Sequence, residues 1–330
     1  MAVSKFRAIL ETGVNARASD WHIREGSTIC LRVDAQLVEI TDFVTTKEFL
    51  HEAVKDICTP KHLETYETTG DADFAHYEDG VGRFRVNLHR QRGLMCLTLR
   101  HVKDKVPDLK KLGLPEIILK IAEAHRGIIL VTGTTGSGKS TTMACMLEHM
   151  NQTLARHIIT IEDPIEYTFE DKNCVFEQRE VGLDTITFQS ALVHALRQDP
   201  DVITVGEMRK RESFDTAMQA ADTGHLVMTT LHTTNAPQTI QRILDFYPHE
   251  EREEVRKAMA TNLYAIVSQR LMPRAIGKGV IPGIEVMIAS PIIKKLIHEG
   301  RIDKLHQAIE ASTHEGMMSF NQCLLGLVNE

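Results

Sequence analysis

The stretch VTGTTGSGKSTT, residues 131–142, constrains this chain more than any other. Gly133 to Ser140 fits G-x-x-x-x-G-K-[ST]. An apolar run, GIILV, precedes it, and Met143, Met146, Leu147, Met150 and Leu154 follow at helical spacing as core filling. Strand, glycine-rich loop and helix in that order require a strand whose carboxyl end opens onto a helix N-terminus. Glycines there let backbone N–H groups turn inward around phosphates, and the helix dipole favours their charge. Lys139 is expected to reach the β- and γ-phosphates of ATP, and the Ser140 hydroxyl to ligate Mg²⁺. Gly133, Thr134, Thr135, Gly136, Ser137, Gly138, Lys139, Ser140 and Thr141 thus form a candidate nucleotide site.

Three more apolar runs follow, in RHIITIED, PDVITVGE and HLVMTTLH. Runs of this kind without alternation suit strands buried on both faces of a parallel sheet. Ligands of open parallel sheets bind beyond the carboxyl ends of the strands, and polar residues stand there. Glu162, Asp163 and Glu166 follow the first run. A carboxylate in that place can orient or deprotonate an attacking water; a solvated loop with an Asp-Pro turn is the bland alternative. Glu207 ends the second run, where a Walker B acid sits, with Gly206 in place of the usual Asp. It is the candidate to hold Mg²⁺ directly or through water, against a reading as a solvated strand end. His225 precedes and His232 follows the third run. Along an extended strand they stand about 20 Å apart, so they cannot share a metal. His232 could sense a γ-phosphate; a purely structural histidine is the alternative.

The first hundred residues have a different character. STICLRVDAQLVEI alternates Ile29, Leu31 and Val33 with Cys30, Arg32 and Asp34, as a half-buried strand does. TTKEFLHEAVKDIC turns to a helical period, with Thr45 and Glu48 placed for a capping box. After a turn at Asp79-Gly80, Phe84, Val86 and Leu88 alternate with Arg83, Arg85, Asn87 and His89. Arg83, Arg85 and Arg100 form either a solvated basic face or a set presented to a neighbouring subunit's phosphates. KDKVPDLKKLGLP, residues 103–115, carries charge and two prolines and reads as a linker. The expected division is therefore 1–102, the linker 103–115, and 116–330. The last 80 or so residues read as mainly helical, with stripes at Val255, Met259, Leu263 and Ile266 and at Ile292, Ile293, Leu296 and Ile297.

Composition narrows the classes. Lys+Arg 38 against Asp+Glu 45 leaves −7, a poor balance for gripping nucleic acid. Six scattered cysteines without a CxxC argue against a zinc ribbon or disulfide scaffold and for a reducing compartment. MAVSKFRAILETGVNARASD has no apolar core of signal-peptide length, and no apolar run approaches the ~20 residues of a membrane span. A cytoplasmic protein is expected.

With GTTGSGKST, EDPIE, LRQDPDVITVGEMR and TGHLVMTTLHTTNA in this order, the chain resembles the secretion ATPase superfamily, whose Walker A, Asp box, atypical Walker B and His box they match. The resemblance is closest to the type IV pilus retraction ATPases, the PilT/PilU family, and extends to ASDWHI, GRFRVN, QREVGLDT and EGMMSFNQCLLGLV. It implies an α/β chain with a PAS-like N-terminal domain, then a RecA-like P-loop ATPase domain with a mainly parallel sheet and a helical C-terminal part. Glu166 would be the catalytic Asp-box carboxylate, Glu207 the Walker B acid, and His225 and His232 the His-box pair. Arg83, Arg85 and Arg100 would face the nucleotide. The implied assembly is a homohexamer acting on an inner-membrane pilus platform protein, beside a second retraction ATPase in some systems. It would sit at the inner face of the cytoplasmic membrane and power pilus disassembly and twitching motility.

Two departures stand out. Residues 292–299 read IIKKLIHE where retraction enzymes carry a helix close to AIRNLIRE, and Lys210 follows Arg209 where an acid is common. Arg and Lys are not equivalent at bidentate contacts. Pilus assembly and type II secretion ATPases are the nearest rivals, but they usually carry a tetracysteine zinc element. A DNA translocase would want a basic channel with stacking aromatics. A non-hydrolysing ATP-binding partner is argued against by the retained Glu166, Glu207 and His232.

Overall fold

The computed structural model describes residues 4–34, 36–102, 106–275 and 279–329. The chain forms two compact units, Met1–Asp104 and Lys105–Glu330.

In the first unit, β1 (Ala18–Arg24), β2 (Thr28–Val33), β3 (Gln36–Val44), β4 (Asp71–Glu78), β5 (Gly82–Gln91) and β6 (Leu94–His101) form one sheet in the order β3-β2-β1-β6-β5-β4. Every neighbouring pair is antiparallel. The alternation in GRFRVNLHRQ decides which face is covered: Phe84, Val86 and Leu88 are fully buried with Trp21, Ile23, Leu97 and Leu99. Helices Lys5–Asn15 and Lys47–Ile57 supply Leu10, Leu50, Ala53 and Val54 to the same core. The cap of the second helix lies one residue later than the spacing suggests. Thr46 is the N-cap and accepts from Phe49 N, while Thr45 is buried. A Thr at either position could cap, and burial of Thr45 settles the choice.

In the second unit, β7 (Gly127–Thr132), β8 (His157–Glu162), β9 (Val175–Glu180), β10 (Val202–Val205), β11 (Leu226–Leu231), β12 (Leu263–Pro273) and β13 (Val280–Ile288) form a sheet in the order β13-β12-β7-β11-β10-β8-β9. All neighbours run parallel except β12 and β13. Both faces are covered. Ile128 and Leu130 enter one apolar core while Ile129 and Val131 enter the other, which is why these strands read as continuous apolar runs. Of the stretch read as a linker, 103–105 lies outside the described residues. The rest belongs to this second core: a short helix, Leu109–Leu112, buries Leu109, and Leu114 is buried beside it.

The C-terminal part is helical but also carries two strands. The helix Arg252–Asn262 stops where β12 begins, so Leu263 and Ile266 bury on a strand and not on a helical stripe with Val255 and Met259. Four apolar residues can satisfy both periods. Pairing of β12 with β7 on one side and β13 on the other decides the matter. Among the described residues, no helix is long and apolar enough to cross a membrane.

Candidate active site

Adjacent parallel strands β7, β11, β10 and β8 end side by side, so the residues just past their carboxyl ends converge. A cavity of about 710 Å³ opens there, lined by Lys139, Ser140, Glu162, Glu166, Glu207, Arg209 and His232.

The loop after β7 leads into the helix Lys139–Thr153, whose N-cap Gly138 is left-handed at φ 89°. A Cβ on Gly133 would stand 2.4 Å from both Gln269 O and Ser137 Oγ, and one on Gly138 would stand 2.7 Å from Gln269 Nε2. Only glycine lets β12 press this closely on the loop. The contact continues inward, with Thr142 Oγ1 donating to Gln269 Oε1 at 2.6 Å and Thr132 Oγ1 to Ser268 Oγ at 2.9 Å. Lys139 is buried, its Nζ donating to Gly133 O at 3.0 Å and Thr134 O at 2.9 Å. Burial lowers its pKa, against the opposing pull of Glu207 and Glu166. Ser137 Oγ is buried without a hydrogen-bond partner among the described residues.

Beyond β8, the Asp163-Pro164 bond is cis. Glu162 anchors the loop. Its Oε1 accepts from Thr160 Oγ1 at 2.7 Å and Gln178 Nε2 at 3.2 Å, and its Oε2 from Glu166 N at 3.3 Å. Burial pushes the Glu162 carboxyl above the usual range, against these bonds. Glu166 itself is exposed at the cavity.

Beyond β10, Glu207 accepts from Arg209 Nη2 at 2.7 Å, and His232 Nε2, beyond β11, lies 3.3 Å from its other oxygen. Burial works against ionisation of Glu207, but Arg209 and His232 prevail and hold its carboxyl below the usual range.

His225 does not join this cluster. It stands before the amino end of β11, its Nδ1 3.0 Å from Ala220 O and 3.1 Å from Thr223 Oγ1, where it packs against the end of the helix Arg211–Asp222. Arg83, Arg85 and Arg100 belong to the first unit. Arg85 and Arg100 face each other across β5 and β6, and Arg100 Nε donates to Asp20 Oδ1 at 2.8 Å.

Glu162 belongs to the acid cluster named from the sequence, and its bonds single it out as the anchor of the loop. Two contributors have no place among the sequence candidates, Arg209 and Gln269. Arg209 stands in the sequence only as the neighbour of Lys210. Gln269 sits in a stretch without a motif and is seen only through its contacts. The charge at residue 209, two places after a strand-end acid, was the one available signal.

A family model described as Type II/IV secretion system protein matches residues 3–279. The type IV pilus retraction ATPase PilT of Pseudomonas aeruginosa is 42% identical over 311 residues, 94% of this chain and 90% of its own length. PilU, the type IV pilus ATPase of the same organism, is 38% identical over 326 residues, 99% and 85% of the two chains. A crystal structure of the pilus retraction motor PilT with bound ADP matches with a TM-score of 0.86 at 40% identity, over 98% of this chain and 96% of that one. The chain belongs to the Type II/IV secretion system protein family.

Proposed function

We propose that this chain is an ATP-hydrolysing motor that powers type IV pilus retraction. The observation that carries the reading is the convergence of Lys139, Ser140, Glu166, Glu207 and His232 on one cavity from four adjacent strands. The relatives named above supply the process.

The loop suits a nucleotide. Gly133 and Gly138 let the loop turn tightly against Gln269 of β12, Ser137 Oγ has no hydrogen-bond partner among the described residues, and Lys139 directs its donors to loop carbonyls that phosphate oxygens can replace. Backbone N–H groups of 133–141 surround the phosphates at the helix N-terminus. Oxygen donors from Ser140 and Glu207 suit Mg²⁺, which binds few protein ligands alongside substrate phosphates. When bound, that ion neutralises phosphate charge. Glu166, held by its own N–H to Glu162, orients and deprotonates the attacking water. His232, tied to Glu207, reads the γ-phosphate. His225 acts through the packing around it. In this reading the first unit is the PAS-like domain and the second the RecA-like domain. Arg83, Arg85 and Arg100 serve a neighbour's nucleotide in a homohexamer that works on an inner-membrane platform protein.

Cells lacking the gene test the process. Abundant surface pili on cells that do not twitch are expected, and Glu166→Gln should fail to restore motility. Bald cells would make the chain an assembly motor and end the retraction reading.

A further inference from the structure

Glu285 is an acid in the middle of β13, 2% exposed, outside every motif named from the sequence. Its Oε1 accepts from Ala236 N at 2.7 Å. Ala236 is the first residue of the helix Ala236–Leu244, which follows the loop that carries His232. The free donors at this helix start can be counted. Pro237 has none, Gln238 N is met by Asn235 Oδ1 at 2.9 Å, and Thr239 N by Asn235 O at 3.0 Å. Thr234 N, in the loop, is met by Gln238 Oε1 at 2.7 Å. Ala236 N depends on Glu285.

A second contact grips the other side of Asn235. Arg270 Nη2, on β12, donates to Thr234 O at 3.4 Å, and its guanidinium lies 4.6 Å from the Phe320 ring centroid. Glu285 pairs in register with Ser268, whose hydroxyl accepts from Thr132 at the end of β7. Burial pushes the Glu285 carboxyl above the usual range, against the bond from Ala236 N and the influence of His306, from the helix Leu305–Ala311, and Arg270, from β12. Desolvating a carboxylate is costly, and an apolar residue would fill the same space in β13 more simply. The acid is explained by the N–H it meets and by the helix dipole it faces.

We infer that Glu285 is a positioning residue for turnover: with Arg270 it ties residues 236 and 234, the two neighbours of Asn235, to the β12–β13 pair and so holds His232 against Glu207. This rests on the assignment of His232 and Glu207 to the ATP site.

The test is a double-mutant cycle on the full chain, read as steady-state ATP turnover. Glu285→Ala should lower kcat by about tenfold and leave KM for ATP within about twofold, because the P-loop contacts of Ser268 and Gln269 remain. Glu285→Gln, which keeps the acceptor, should stay within about threefold of wild type. On a His232→Ala background the Glu285→Ala loss should vanish. Undiminished loss on that background, or wild-type kcat in folded Glu285→Ala, overturns the inference. Should Glu285→Ala not fold, exposed Arg270→Ala enters the same cycle, and a kcat loss independent of His232 overturns the inference. Wild-type turnover in His232→Ala alone would remove the site assignment first, and the inference with it.

Discussion

His232 Nε2 lies 3.3 Å from Glu207 Oε1, although 25 residues separate them in the chain. Parallel pairing of β10 and β11 brings their carboxyl ends together, with Thr230 Oγ1 donating to Gly206 O at 2.6 Å just behind the pair. Arg209 holds the other oxygen of the same carboxylate. Glu207 is thus an acid held by one contact to each of its oxygens on the cavity wall.

Those contacts have a pH consequence. The Glu207 pKa is depressed in the folded protein, so its stabilising pairing is present above the ordinary glutamate range and is lost only as pH falls through the lower folded value. In the protein free of Mg²⁺ and nucleotide, that contribution should persist to a pH below the usual glutamate pKa of about 4.3. Arg209→Ala removes the strongest of the interactions that lower the pKa, so the acid-side fall of Tm in the Mg²⁺-free protein should move to higher pH. An unmoved acid side would mean that another group sets it.

Glu166→Gln should bind ATP as the wild type does and lose about 10²–10⁴ in kcat, the range for a general base. The backbone N–H that anchors this residue to Glu162 is unchanged by the substitution, so the loop should stay in place. Nucleotide binding by titration and turnover by phosphate release separate the two quantities. Near-normal turnover would place the base elsewhere.

The P-loop glycines should differ sharply from one another. Gly133→Ala puts a methyl group into the Gln269 carbonyl, a backbone atom that cannot step aside, and should abolish ATP binding. Gly136→Ala meets nothing within 4 Å. Its positive φ of 75° should cost about 1–2 kcal/mol, visible as a few degrees in Tm, while ATP binding persists. Equal loss of binding in both variants would refute the close approach of β12 as the reason for Gly133.

The contrast between those glycines shows which features were legible in the sequence. Strand, loop and helix around Lys139 were, because each is specified by residues adjacent in the chain. Phe84, Val86 and Leu88 were too, since a two-residue period assigns a face by itself. The strand at Leu263 was not, because its apolar spacing suits a helix equally and only its partners β7 and β13 distinguish the two. Gln269 and Glu285 were hidden for a related reason. Each is defined by a partner distant in sequence, Thr142 for the one and Ala236 for the other, and a lone amide or acid in a strand carries no period to read. His225 shows the converse, since membership of a motif did not bring it to the cavity.

Helix Pro291–His298 permits a test of the same point on stability. By spacing, Ile292 and Ile293 are equivalent members of one apolar stripe. In the fold Ile293 is fully buried with Leu296 and Ile297, whereas Ile292 is 45% exposed. Ile293→Ala removes side-chain atoms from the core that also holds Met259 and Leu305 and should cost about 2–5 kcal/mol. Ile292→Ala should stay within about 0.5 kcal/mol of wild type, as surface substitutions do. Denaturant unfolding of the two variants measures the difference directly. A comparable loss at both positions would mean that Ile292 is covered in the protein as it exists in solution, by a second copy of the chain or by another partner. A dependence of that loss on protein concentration would identify the second copy as the cover.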